Sequence, residues 1–218
     1  MPQSSSYFTR ANLTWFTCAI LLVALLTSKF LLTLGMVALV ALGLIQKDLK
    51  TVWQNFISDK ALLTLTSIFL IVLISGLYSE NITYLLERLR IKLPFLLLPI
   101  ALAGLPKFTD KQYFSLLYLF IASIIISCIG VGINYAMNFE AINYNIGRSG
   151  SIPTPINHIR FSLLVALSFF ASVYLYHKNF YLKFPSEKYL LLACALFLLV
   201  FVHILSVRSG ILALYLAG

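Results

Sequence analysis

The chain has 218 residues, 61% of them hydrophobic and only 11% charged, with a formal net charge of +9. A soluble domain has about 25% charged residues, so too few charges are present to coat a water-facing globule. Most of the surface must face lipid, and the basic residues, scattered as ones and twos between apolar runs, mark membrane topology rather than a nucleic-acid stripe.

A crossing helix needs about 20 mostly apolar residues. In chain order the apolar runs are Ala11–Ser28, Phe30–Ile45, Ala61–Leu77, Leu93–Leu105, Tyr113–Val131, Phe161–Tyr176 and Tyr189–Val207. The expected fold is an all-α, polytopic transmembrane helix bundle of about seven spans. Arg10 before the first run resembles a signal-peptide start. However, Thr27-Ser28-Lys29 offers no small-residue cleavage site and a second run follows at once, which favours a retained hairpin. Leu93–Leu105 is short and contains Pro94 and Pro99. The stretch ITYLLERLRIK before it, Ile82–Lys92, mixes apolar and charged residues. It reads as an interfacial amphipathic segment feeding a proline-bent span.

Gly132–Arg160 is the longest segment outside the runs. Its Asn134, Asn138, Asn143, Asn145, Gly147, Gly150, Pro153 and Pro155 predict an ordered loop of turns, and long loops are usually functional. The last apolar run continues past the span limit to Gly218. Its one polar, glycine-containing interruption is Ser206-Val207-Arg208-Ser209-Gly210, which predicts a break there. Ile211–Gly218 then begins an eighth span, and the expectation is that the chain is a truncated piece, residues 1–218 forming the N-terminal part of a longer membrane domain.

With the N-terminus placed in the cytoplasm and the spans alternating, the inside holds Arg10, Lys47, Lys50, Lys60, Lys107, Lys111, Lys178, Lys183 and Lys188. The outside holds Lys29, Lys92, Arg88, Arg90, Arg148, Arg160 and Arg208. The counts differ little, but the kind of residue differs sharply. Lysine is a hydrated point charge, whereas arginine presents a flat fork of donors that matches phosphate oxygens in bidentate fashion. Arginines kept on the side where cations are normally depleted suggest a phosphate held at the outer face. The competing reading is snorkelling at the interface, with Glu87 paired to Arg88 or Arg90 at helical spacing.

No carboxylate (Asp48, Asp59, Asp110, Glu80, Glu87, Glu140, Glu187) falls in the middle of a run, which argues against an ion-coupled transporter. Motifs for a nucleotide phosphate loop, a zinc hydrolase or a serine hydrolase are missing. Cys18, Cys128 and Cys194 lie in unrelated apolar contexts, as small buried hydrophobes do. His177 and His203 read as packing or hydrogen-bonding residues. His158, two residues from Arg160 at the lip of the long loop, could donate to a phosphate or accept a hydroxyl proton.

Four features resemble the O-antigen ligase and O-antigen polymerase (Wzy-like) family of bacterial envelope enzymes. They are the opening helical hairpin, LLERLRIKLPFLLLP (Leu85–Pro99), PINHIRFSLLVAL (Pro155–Leu167) and SVRSGILAL (Ser206–Leu214). The resemblance implies a multi-pass protein of the bacterial inner membrane that moves an undecaprenyl-pyrophosphate-linked glycan onto a lipid or glycan acceptor at the outer face. It implies a metal-independent glycosyltransferase without cofactors. Family members carry a further outer loop with a catalytic histidine beyond the point where this chain stops. By the same resemblance Arg208 matches the motif arginine, and Arg160 and His158 sit at the matching loop end, as catalytic candidates. Arg88, Arg90 and Arg148 are substrate-binding candidates by topology alone. The competing functions are a lipid-linked sugar transporter or flippase, whose substrate would suit the same arginines, and a non-catalytic membrane fragment.

Overall fold

The computed structural model describes residues 9–45, 48–76, 78, 82–148, 150–178, 184 and 186–217. Lys47 and Lys183, placed by topology above, and Glu80, one of the seven carboxylates, lie outside these. Among the described residues the secondary structure is helical throughout, with no strand: α1 (Arg10–Thr27), α2 (Lys29–Leu44), α3 (Leu49–Ser58), α4 (Lys60–Gly76), α5 (Ile82–Lys92), α6 (Pro94–Ala103), α7 (Asp110–Met137), α8 (Phe139–Gly147), α9 (His158–His177), α10 (Glu187–Leu205) and α11 (Arg208–Ala217). By length and composition α1, α7, α9 and α10 can each cross a membrane, and the bent pair α2 with α3 is a fifth candidate. These four or five candidates stand where about seven were expected. The chain divides into two compact units, Met1–Leu21 with Lys29–Phe108, and Leu22–Ser28 with Thr109–Gly218.

In the first unit, α6 packs against α2, α3 and α4. Pro94 stands at its N-terminus, Pro99 lies within it and Gly104 caps its end. At ten residues and 1.5 Å per residue it is about 15 Å long, half of the ~30 Å hydrocarbon thickness. The expected span Leu93–Leu105 is therefore a short helix enclosed by its neighbours. Pro94 opens it, where its missing N–H costs no ladder bond, and Gly104 ends it, while Pro99 stands inside the continuous helix.

Small residues let helices approach where lipid offers no hydrophobic drive for association. On α2 the buried positions are Gly35, Leu39 and Gly43, at a spacing of four. Gly43 lies directly on the backbone of Ala101 in α6, and Gly35 lies on the side chain of Leu21 in α1. Arg10 closes the same unit at another point. Its Nη2 donates to the carbonyl of Leu42, in the last turn of α2, and to that of Gly104, 3.1 Å away, at the end of α6. A guanidinium bridging two helix C-termini satisfies orphan carbonyls and meets the negative ends of both dipoles. Arg10 thus has a structural task.

Residues 49–58, left between runs by hydropathy alone, form α3. Asp48 caps it by accepting from the Thr51 amide at 3.3 Å and from the Thr51 hydroxyl. Those two bonds, the hydroxyl's first, hold the Asp48 carboxyl below its usual range. Segment Ile82–Lys92 is helical over the expected residues as α5. Within it Arg88 donates from Nε to the Tyr84 hydroxyl at 2.8 Å and lies over that ring at 4.8 Å.

In the second unit a capping box starts α7. The Thr109 side chain accepts from the Gln112 amide, and the Gln112 side chain accepts from the Thr109 amide. This start precedes the expected Tyr113. At 28 residues α7 is about 42 Å long, more than the ~30 Å hydrocarbon thickness of a bilayer.

Two core clusters show how its partners run. Toward the start of α7, Ile121 packs with Leu175 near the end of α9 and Leu191 near the start of α10. Further along, Ile124, Cys128 and Val131 pack with Phe161 and Val165 of α9 and with Leu198 and Val202 of α10. Helices α7 and α10 therefore run one way and α9 the other. Small residues on α9, among them Ser162, Ala166, Ser168 and Ser172, are buried in this packing. At the first end Glu187 is fully buried and accepts a hydrogen bond from the Tyr118 hydroxyl.

Gly132–Arg160 differs from the expected loop of turns. Residues up to Met137 belong to α7, and Phe139–Gly147 form α8, with Ile142 buried. Asparagines tolerate helix and favour its ends: Asn138 serves as the C-cap of α7 and the N-cap of α8. The irregular connection shrinks to the stretch between Arg148 and Asn157, where Gly150, Pro153 and Pro155 stand.

Candidate functional site

The predicted break at Ser206 exists, and its geometry is specific. Helix α10 ends at Leu205, and Ser206 adopts the left-handed region at φ 52°, ψ 26°. It is the one non-glycine residue with positive φ among those described. Its amide donates to the His203 carbonyl at 3.0 Å and its hydroxyl donates to the same oxygen at 3.1 Å. Helix α11 then starts at Arg208, and the amides of Gly210 and Ile211 donate to the Val207 carbonyl at 3.1 and 3.2 Å. A left-handed L-residue costs about 1–2 kcal/mol, which glycine avoids. Ser206→Gly is therefore expected to raise stability by about 1 kcal/mol, read as a higher melting temperature in detergent. A β-branched residue there should lower it.

Helix α9 begins at His158. Asn157 caps it, its Oδ1 accepting from the Ile159 amide at 3.0 Å. The first turns of α9 and α11 lie against each other. A Cβ built on Gly210 would stand 1.6 Å from Ser162 Oγ and 2.8 Å from Ser162 Cβ. Only a glycine permits that approach, so the glycine of the S-V-R-S-G stretch is there for packing. The consequence is that two helix N-termini, each carrying a partial positive charge, open at the same end of the unit.

A cleft of about 620 Å³ lies at that end. His158 lines it from α9, and Ser206, Arg208 and Ser209 line it from the α10–α11 turn. Ile146 and Ser151 contribute from α8 and the connection after it. Ser151 Oγ lies 3.4 Å from His158 Nδ1, at the outer limit of a hydrogen bond. Ser209 Oγ is shielded from solvent and has no hydrogen-bond partner. The cleft thus offers a guanidinium, an imidazole and hydroxyls around two helix starts. Such a set can hold an anion, and the imidazole can take or give a proton.

Of the residues singled out in sequence, Arg208 and His158 share this cleft. Arg160 is on the first turn of α9 but exposed, and it is not among the lining residues. Arg148 ends α8, exposed, with its guanidinium 4.6 Å over the Tyr144 ring. Arg88 and Arg90 belong to α5 in the other unit. His203 does not line the cleft. Its Nδ1 donates to the Leu199 carbonyl at 2.8 Å, and its Nε2 lies 3.1 Å from the Tyr215 hydroxyl, within hydrogen-bond distance. His177 packs edge-on against Tyr176.

Sequence reading missed Ser151, Ser209 and the Ser162–Gly210 contact. A serine on each side of Arg208 was the available signal for Ser209, whereas nothing local marks Ser162. Among the described residues no group of three or more His, Cys, Asp or Glu side chains is placed to hold a metal ion.

In the second unit the antiparallel helices also sort the cations by type. Lys111, Lys178 and Lys188 stand at one end, and Arg148, Arg160 and Arg208 at the other, the end with the cleft. No family model matches the chain, and no curated protein or solved structure matches it.

Proposed function

We propose that the cleft of the second unit binds the pyrophosphate of a polyprenyl-linked glycan. On this reading the chain serves glycan transfer or polymerisation at the outer face of the bacterial cytoplasmic membrane, as in the O-antigen ligase and polymerase family. The observation that carries it is Arg208 and His158 on one cleft at which two helices begin. Lysines at the opposite end of the unit suit the cytoplasmic side, by the positive-inside bias.

In the reaction an acceptor hydroxyl attacks the anomeric carbon of the donor glycan. The bond from that carbon to the pyrophosphate oxygen breaks, and polyprenyl pyrophosphate leaves with the electron pair. Negative charge grows on the leaving oxygens as the bond opens. Fixed donors aimed at that growing charge bind the transition state better than the ground state. On this reading Arg208 and the two helix starts supply such donors, and His158 takes the acceptor's proton. Arg148 and Arg160, exposed at the same end, suit the approach of an anionic lipid.

The test is binding of farnesyl diphosphate, a short soluble analogue, to the purified full chain in detergent. A hydrogen bond to a charged group contributes about 1.5–3 kcal/mol, so Arg208→Ala should weaken binding about ten- to a hundredfold. Farnesol, which lacks the anion, should not compete. Equal affinity of wild type and variant, or equal competition by farnesol, would remove the reading.

A further inference from the structure

We infer that α3 is an interfacial anchor, seated lengthwise at the headgroup–acyl boundary of the bilayer through Leu49, Trp53 and Ile57. At 100° per residue, Val52, Phe56, Leu49, Trp53 and Ile57 form one continuous apolar arc on this helix, and Lys50, Thr51, Gln54, Asn55 and Ser58 form the other side. The apolar arc is covered only in part. Val52 and Phe56 are 3% and 5% exposed, whereas Leu49, Trp53 and Ile57 are 57%, 54% and 51% exposed. Trp53 joins the two halves, its ring 5.5 Å from that of Phe56.

Three observations name the bilayer surface as what covers the open half. First, α3 leaves α2 at a bend of 110°, so it runs across the direction of an apolar helix instead of extending it. Second, its polar side is exposed throughout. A helix inside hydrocarbon would leave Lys50, Gln54 and Asn55 facing lipid, which is costly, so α3 is not the second half of a broken span. Third, the residue types fit the boundary. Tryptophan concentrates at the headgroup level, Lys50 borders the apolar arc beside Ile57 where a lysine reaches anionic headgroups, and Lys60 opens the next helix. The inference stands independently of the chemistry assigned to the second unit.

Trp15 and Trp53 are the two tryptophans of the chain, which makes the depth of α3 measurable. The full chain, as Trp15→Phe, is reconstituted in phosphatidylethanolamine–phosphatidylglycerol vesicles whose acyl chains carry bromine at a shallow or a deep position. Interfacial helices sit about 5–10 Å into the boundary. Shallow bromines should therefore quench Trp53 several-fold more than deep ones, and aqueous iodide should quench it several-fold less than free tryptophan. Should Trp15→Phe fail to fold, the difference in quenching between wild type and Trp53→Phe isolates the same signal. Stronger quenching by deep bromines would overturn the inference in favour of a broken span. Full iodide quenching without bromine quenching would place the face in water. Protection from both quenchers would mean that a second copy or another protein covers it, which also overturns the inference.

Discussion

Arg208→Lys is expected to lower glycan transfer on the order of 10²–10³-fold, by analogy with the loss of one oriented oxyanion donor. Arg208 is the first residue of α11 and lines the cleft with His158. Lysine keeps the charge, and it keeps the helix start, because the backbone there is ordinary helix following Val207. What it loses is the planar fork, which two phosphate oxygens can meet at once. The loss should therefore fall mainly on kcat, since the leaving pyrophosphate gains charge only as its bond opens. The measurement is transfer from a polyprenyl-pyrophosphate-linked donor in membranes, alongside circular dichroism to verify the fold. Arg160→Lys provides the comparison. Arg160 and Arg208 are both exposed, but Arg160 lies outside the cleft lining, so its replacement should cost less than that of Arg208. Near-normal transfer by Arg208→Lys, or a larger loss from Arg160→Lys, would move the reactive anion away from this cleft.

Gly43→Ala should produce the largest stability loss of any single methyl addition in the first unit. The added Cβ would lie 2.4 Å from the carbonyl oxygen of Ala101 and 2.7 Å from its Cα. Those atoms are backbone, so no side-chain rotation relieves the clash and α2 must move off α6. Overpacking of this kind costs about 1–3 kcal/mol, and the rigid partner places Gly43 at the upper end of that range. Gly35→Ala should cost less, because its nearest atoms belong to the Leu21 side chain, which can turn. Gly130→Ala is the control. Nothing lies within 4 Å of its added Cβ, and alanine favours helix by about 1 kcal/mol over glycine. Thermal unfolding in one detergent should rank the three, with Gly43→Ala least stable and Gly130→Ala at or above wild type. A Gly43→Ala protein as stable as wild type would mean that α2 and α6 do not touch through these atoms.

The elements that were legible in sequence are those whose signal is local. Ile82–Lys92 is helical over the residues expected, because its mixed apolar and charged pattern is confined to one short segment. The interruption at Ser206–Gly210 was readable because a run of apolar residues cannot pass the width of a bilayer unbroken. Helix α3 carried a clear apolar arc, but hydropathy sums over residues and averages that arc with the lysine and amides on its other side. Gly132–Arg160 resembled a loop because asparagine is common in turns. In the fold Ile142 buries itself, Asn138 caps two helices, and the other asparagines up to Asn145 are taken into helix, so burial overrode composition. Apolar composition misled at Leu93–Leu105, a run already short, whose helix of ten residues reaches only half the hydrocarbon thickness.

By itself the sequence determined a helical chain of apolar runs and the place where its last long helix breaks, since hydropathy and backbone preference act over a few neighbouring residues. Tertiary structure alone decided that α9 and α11 start side by side and that Arg208 and His158 line one cleft. That arrangement depends on Gly210 lying against Ser162. The two residues are far apart along the chain, and no periodicity in either helix encodes their contact.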